Sequence, residues 1–283
     1  AETQQIRRFK GVESWLENNP PDARISLTKE QILSQKFPSG PGHAWKFIRF
    51  APAPNDHYLY VPVGSFSNVH KETDGFASIF RIDVRGDKPR ELVAKGVRNT
   101  VGFDFHPNTG ELWFTDNGRD QLGNGFPPDE LNKVTTLGEH FGFPYCHGPL
   151  RADNKNKDPQ FNQGMDCKQF TSPVVALDPH AAALGMRFHK EQILIAEHGS
   201  WNINPGTAFN GYKVSTVTKA ADDTYEYKTL ISGWLEADGR TRWGRPVDIE
   251  SLADGSFLVS DDGLRSGTNR GSIYRVVYTG KGN

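Results

Sequence analysis

The chain has 283 residues, with 33 Lys+Arg against 34 Asp+Glu and a formal net charge of -1. It therefore lacks the basic excess that releases counterions from a nucleic acid, and no apolar run approaches the ~20 residues that cross a bilayer. With 11% aromatic residues it is too core-rich for a disordered chain, and 29 Gly and 18 Pro among many Phe, Val and Ile favour turns and short strands.

The chain starts at Ala1 with no Met and no apolar leader, which reads as a processed or trimmed chain. Gln5 to Arg24 read as outer strands of a sheet whose first hairpin is absent. Pro38-Ser-Gly-Pro-Gly-His-Ala-Trp-Lys46 places His43 in a Gly/Pro loop just before a hairpin. A neutral imidazole there can accept a proton from a substrate hydroxyl, or it can be a structural histidine in a turn. The first hairpin runs from Phe47 to Gly64, and Ser78-Ile-Phe-Arg-Ile82 follows as a third strand.

Arg98-Asn99 stands directly before the second hairpin, Val101 to Asp116. Next come Asp116-Asn-Gly-Arg-Asp120 and Pro127-Pro-Asp-Glu-Leu-Asn132, bracketing a loop rich in Gly and carboxylate. Asp129 and Glu130 point opposite ways on an extended strand, whereas on a turn both can approach a hard cation such as calcium. A solvated acidic loop is the plain alternative. Cys146 and Cys167 flank a short polar stretch and read either as a disulfide or as two buried thiols. A disulfide implies an oxidising compartment, periplasmic or secreted.

His180, in Pro179-His-Ala-Ala-Ala-Leu184, precedes the third hairpin, Met186 to Glu197. His198 and Trp201 follow it in Glu197-His-Gly-Ser-Trp201, and Trp201 can stack on a planar ring. Gly211-Tyr-Lys-Val-Ser215 is the third strand of that copy. Gly244-Arg245-Pro246 precedes the fourth hairpin, Val247 to Asp261, and Gly271-Ser-Ile-Tyr-Arg-Val276 closes the series. No pair among His43, His180 and His198 has close ligand spacing, so zinc and iron rank low. No glycine-rich dinucleotide fingerprint or P-loop occurs.

The hairpins begin at residues 47, 101, 186 and 247, and each ends in Asp, Glu or Gly. Recurring units of three or four strands with variable insertions indicate an all-β propeller rather than a β-sandwich, with about four to five blades in this chain. Propeller loops converge on a central channel, so polar residues after each second strand gather there. Arg98 and Arg245 occupy the same place in their repeats. They fit either an anionic ligand in the channel or blade-to-blade ion pairs.

Gly42-His-Ala-Trp-Lys-Phe-Ile-Arg-Phe50, Gly96-Val-Arg-Asn-Thr-Val-Gly-Phe-Asp-Phe-His-Pro107, Thr115-Asp-Asn-Gly-Arg-Asp120, His140-Phe-Gly-Phe-Pro-Tyr-Cys-His-Gly148, Glu197-His-Gly-Ser-Trp-Asn202 and Trp243-Gly-Arg-Pro-Val-Asp248 resemble the glucose/sorbosone dehydrogenase family. The resemblance runs from about Ile6 to Tyr278. It implies a six-bladed propeller of the quinoprotein type that oxidises an aldose or a sorbosone-like aldehyde with pyrroloquinoline quinone and calcium. His43 would be the base, taking the hydroxyl proton while hydride passes to quinone C5. Arg98 and Asn99 would contact the quinone, with Arg98 polarising its reacting carbonyl. Arg245 would pair a cofactor carboxylate, and His180, His198 and Trp201 would line the same site. Backbone carbonyls of Gly118 and Arg119 would hold the cofactor's calcium. Asp129, Glu130 and Phe141 would hold a second, structural calcium. An external acceptor (quinone, cytochrome or dye) would take the electrons.

Two other classes remain: a calcium-dependent lactonase-type hydrolase and a non-catalytic propeller that binds sugar or protein. At roughly 40–50 residues per blade, and with the long insertions between hairpins counted, the length falls short of six blades. The expectation is one propeller domain over residues 1–283 that lacks the N-terminal blade, ahead of a ring closing with fewer blades.

Overall fold

The structure is a computed structural model describing residues 4–24, 29–31, 36–38, 40–71, 73, 75–86, 88–149, 155–161, 164–264 and 270–280. Two short strands, β1 (Arg7–Phe9) and β2 (Lys29–Gln31), pair antiparallel around helix α1 (Val12–Glu17). The expected run of outer strands over Gln5 to Arg24 is thus corrected to one strand and one helix. Gly11, in the left-handed conformation (φ 71°), turns the chain into α1, and Pro20 lies just beyond its end.

Four sheets follow. Blade one comprises β3 (Arg49–Phe50), β4 (Tyr58–Val63), β5 (Ser78–Asp83) and β6 (Glu91–Lys95). Blade two begins with β7 (Phe103–Phe105), β8 (Leu112–Asp116) and β9 (Pro128–Lys133). The chain then lends β10 (Glu139–His140) to blade one, parallel to β6, and returns as β11 (Val175–Pro179) to complete blade two. Blade three is β12 (Ala183–His189), β13 (Gln192–Glu197), β14 (Lys213–Lys219) and β15 (Tyr225–Ile231). Blade four is β16 (Pro246–Ser251), β17 (Phe257–Gly263) and β18 (Arg270–Val276). The four predicted hairpins are the first two strands of these blades. Pro128–Lys133, which read as part of an acidic loop, is the third strand of blade two.

The blades stack because their second strands are apolar on both faces. In β13, Ile193 and Ile195 pack with Trp113, Leu131 and Met186 towards blade two, whereas Leu194 and Ala196 pack with Ile249, Phe257 and Val259 of blade four. In β4, Leu59, Val61 and Val63 pack with Ile6 and Phe37, while Tyr60 faces Phe103, Phe105 and Phe114 of blade two. A strand covered on both sides reads as a continuous hydrophobic run, as Ile193-Leu-Ile-Ala196 does. Three of the cores are inter-blade seams, joining blades one to two, two to three and three to four, and each buried Leu, Ile or Val there contributes roughly 1.5–3 kcal/mol through the apolar area it removes from water.

Candidate functional site

In blades two and four the rim loop is held by a carboxylate at the end of the second strand. Asp116, at the end of β8, accepts the backbone N–H groups of Arg98 (2.8 Å) and Asn99 (2.6 Å). Asp261, in β17, accepts the N–H of Arg245 at 2.8 Å. The two arginines then reach back to the preceding blade. Arg98 donates from Nε to Asn68 O (2.8 Å), from Nη2 to Asn68 Oδ1 (2.9 Å) and from Nη1 to Asn117 O (3.0 Å). Arg245 donates from Nε to His198 O (3.0 Å) and from Nη2 to Gly199 O (2.6 Å). Neutral carbonyls orient these guanidinium groups, so the blade-to-blade contact is made of hydrogen bonds rather than ion pairs. Asp120 adds a carboxylate 3.5 Å from Arg98.

His43 packs against the loop after β4. A Cβ on Gly64 would lie 2.4 Å from the His43 Cβ, so only glycine admits the histidine loop there. His43 Nδ1 lies 3.2 Å from Ser65 O and 3.0 Å from Ser65 Oγ, and Ser65 Oγ itself donates to Ser67 O at 2.6 Å. Both Ser65 oxygens therefore present lone pairs, which places the imidazole proton on Nδ1 and leaves Nε2 a bare acceptor. Burial and the neighbouring Arg98 charge lower the His43 pKa to about 4, against the bond to Ser65. The ring is neutral above roughly pH 5.

These loops enclose a cleft of about 600 Å³. Its walls include His43, Arg98, Asn99, Gly118, Asp129, His180, His198, Trp201 and Arg245, drawn from all four blades. His180 is buried, its Nε2 donating to Gly123 O at 2.8 Å. His198 Nε2 lies 3.1 Å from Asp262. Trp201 stands 71% exposed at the mouth.

Arg119, Glu130 and Phe141 lie elsewhere. They line a small void of about 10 Å³, room for one water-sized sphere, together with Asp116, Gly118 and His147. Asp129 does not join them. Residues of β9 alternate, so Asp129 turns to the cleft and accepts Gly118 N–H and Ala183 N–H, both at 2.9 Å. Glu130 turns to the void, held by Gly148 N–H (2.7 Å) and Asn132 Nδ2 (3.0 Å). Of the two readings of that pair, opposite faces of a strand is the one the fold adopts. Burial, with repulsion from Glu130, raises the Asp116 pKa to about 8, and burial, with the charge of Asp129, raises that of Glu130 to about 7. Among the described residues no three His, Cys, Asp or Glu side chains converge as metal ligands, so a cation at the void would need main-chain carbonyls besides the carboxylates of Asp116 and Glu130.

Cys146 and Cys167 form a disulfide. The segment between them carries Asp158, which is fully buried and pairs with Arg119 (2.6 Å) and His147 (2.8 Å). Burial works against its charge, but these two partners hold its pKa down to about 2.

Sequence reasoning missed several cleft residues. Asn117, Asp120 and Asn202, and Ser65 behind His43, lie inside or beside the motifs, but nothing in their spacing marks them. Asn117 bonds Asn99 O (3.1 Å) and Ala183 O (2.9 Å), tying the site across blades two and three. The acidic strand endings were the available signal for Asp116 and Asp261.

Residues 23–276 match the TrAA12-like family profile. The chain is 38% identical over 281 positions to an uncharacterized protein of Borreliella burgdorferi, covering 90% of this chain and 70% of that one. Among solved structures, the calcium structure of a Trichoderma reesei carbohydrate-active enzyme of family AA12 superposes with a TM-score of 0.78 at 17% identity, covering 96% of this chain and 76% of that one. The holo pyranose dehydrogenase PQQ domain of Coprinopsis cinerea gives 0.67 at 18% identity (90% and 75% covered), and the apo soluble aldose sugar dehydrogenase of Escherichia coli 0.58 at 17% (87% and 67%). At these identities the likeness establishes the fold, the β-propeller of the quinoprotein type.

Proposed function

The chain belongs to the TrAA12-like family, and from that premise we propose that it is a quinoprotein sugar dehydrogenase, oxidising the anomeric hydroxyl of an aldose, or a sorbosone-like aldehyde, to a lactone or acid. The observation that carries this reading is the Nε2 of His43, made a bare acceptor by Ser65 in a cleft shared with Arg98 and Arg245.

The residues present fit a planar tricarboxylate. Two arginines oriented by carbonyl oxygens face one cleft, and Asn99, His180, His198 and Trp201 complete its walls. Pyrroloquinoline quinone, when bound, supplies the two-electron acceptor for the sugar's hydride. His43 Nε2 takes the hydroxyl proton, and its low pKa keeps it unprotonated at neutral pH. Arg98, nearly buried, offers positive charge where negative charge develops. Asn99, anchored through its backbone by Asp116, orients ligand polar atoms.

Calcium has two candidate places. Main-chain oxygens of Gly118 and Arg119 would hold a cofactor-linked ion. Asp116 and Glu130, two buried carboxylates facing one small void, with Phe141 beside them, suit a structural ion that offsets their repulsion. The disulfide favours a periplasmic or secreted location. Electrons then pass to an external acceptor.

Adding pyrroloquinoline quinone and calcium to the apoprotein should yield dye-linked oxidation of aldoses. His43→Ala should abolish turnover, by at least ~100-fold, while quinone absorbance still reports binding. No oxidation by the reconstituted protein would overturn the reading. Gluconolactone hydrolysis with calcium alone would replace it with the lactonase.

A further inference from the structure

A second cavity of about 450 Å³ opens beside the cleft, within the range of small-molecule sites. Asp120, His180, Trp201 and Asn202 border both spaces, so the two are continuous. Beyond them the annex is lined by amides, Asn68, Gln121, Asn124 and Asn204, with Gly123. The chemistry of the two compartments differs. The cleft gathers two arginines and three histidines, whereas Asp120 and His180 are the titratable residues along the annex. Asp120 already has Arg98 at 3.5 Å and a short bond from the Asn202 amide.

Asn68 is held by Arg98 and Asp120, and Asn124 by Thr207 and the Asn204 N–H, so these two amides shape the wall. Gln121 and Asn204 add exposed amides, each with two donors and an acceptor, which suit a neutral ligand dense in hydroxyl groups. Trp201 contributes a broad apolar face, 71% exposed, between the two spaces. Folding gains nothing from leaving an indole in water, but a sugar ring has an apolar face to lay on it. His43 lines the cleft and not the annex, so the reacting carbon belongs in the cleft.

We propose that the annex is a subsite for a second sugar unit, so that the protein prefers a glycosidically linked disaccharide or longer chain, with its reducing unit at His43 and the next unit on Trp201 against Asn204 and Gln121. This rests on the sugar-oxidising reading above and extends it.

The test compares glucose with cellobiose, maltose and xylobiose. With the quinone- and calcium-loaded protein, kcat/KM for at least one disaccharide should exceed that for glucose by about 10-fold. The double variant Gln121→Ala/Asn204→Ala, in exposed positions that do not carry the fold, should bring the ratio near one. By calorimetry, the apoprotein should bind that disaccharide more tightly than glucose, and Trp201→Ala should weaken it about 10-fold. Oxidation of glucose with no disaccharide preference, or a preference untouched by the double variant, overturns the subsite and leaves the dehydrogenase. Trp201-dependent disaccharide binding without oxidation of any sugar supports the subsite and overturns the dehydrogenase. Neither binding nor oxidation overturns both.

Discussion

His43 shows how neighbours fit an ordinary imidazole to accept a proton. Ser65 occupies Nδ1, burial and Arg98 hold the ring neutral, and Nε2 is left to accept. The protonated ring is inactive as a base, so kcat/KM should fall only as pH drops through about 4, far below the usual histidine range near 6.5. An acid limb near 6.5 would remove His43 from that role. Ser65→Ala deletes one acceptor of Nδ1–H and should lower kcat about 5- to 10-fold, about one hydrogen bond's worth. At this scale legibility depended on repetition. Arg98 and Arg245 were found because each precedes a first strand, and His43 because of its Gly/Pro loop. Ser65 acts in part through its carbonyl oxygen, a group every residue possesses, so its identity leaves little trace in sequence.

Strand alternation divides the acidic pair of β9 between two environments. Glu130 faces Asp116 across the small void, whereas Asp129 fastens Gly118 and Ala183. Calcium should therefore raise the thermal midpoint of the apoprotein, and Glu130→Gln should abolish that rise while Asp129→Asn retains most of it. Equal loss in both variants would place one ion between the two residues. Blade three carries a different buried acid. Glu197, at the end of β13, accepts from Tyr227 Oη (2.6 Å), with Lys213 3.6 Å away. Burial raises its pKa from 4.5 to about 7. The native state then binds the proton more tightly than the unfolded chain. This stabilisation is complete below pH ~4.5 and is lost as pH rises through 7. The unfolding free energy should fall between pH 5 and 7.5, and Glu197→Gln should flatten the decline by roughly 2–3 kcal/mol. Denaturant melts across that window measure it, and an equal slope in both proteins would refute it. Hairpins were readable because their apolar second strands and Asp or Gly endings recur. The sequence Val12-Glu-Ser-Trp-Leu-Glu17 was misread because the repeat pattern was extended over a stretch whose own propensities favour helix. Blade two hid its third strand because Pro127-Pro128 and adjacent acids resemble a loop.

At the scale of the whole molecule, the disulfide closes a loop with a sequence separation of 21. On the loop-closure model, Cys146→Ser/Cys167→Ser should lower the unfolding free energy by about 3 kcal/mol in urea titrations. Release of Asp158 from Arg119 and His147 should accompany that loss; a variant as stable as the parent would show that the seams alone hold the loop. The fold class was legible because a propeller repeats itself. The shared cleft was legible only as a convergence of loops, since which side chains meet depends on how the blades are rotated about the axis. Arg98 and Arg245 each grip the chain of the blade before them, and Asn117 grips the blade after. The walls of the cleft are therefore also its joints. A molecule seated there would touch loops of all four blades, so occupancy would favour opening of the blades together over opening of any one alone, and the ligand would serve as a keystone of the protein that binds it.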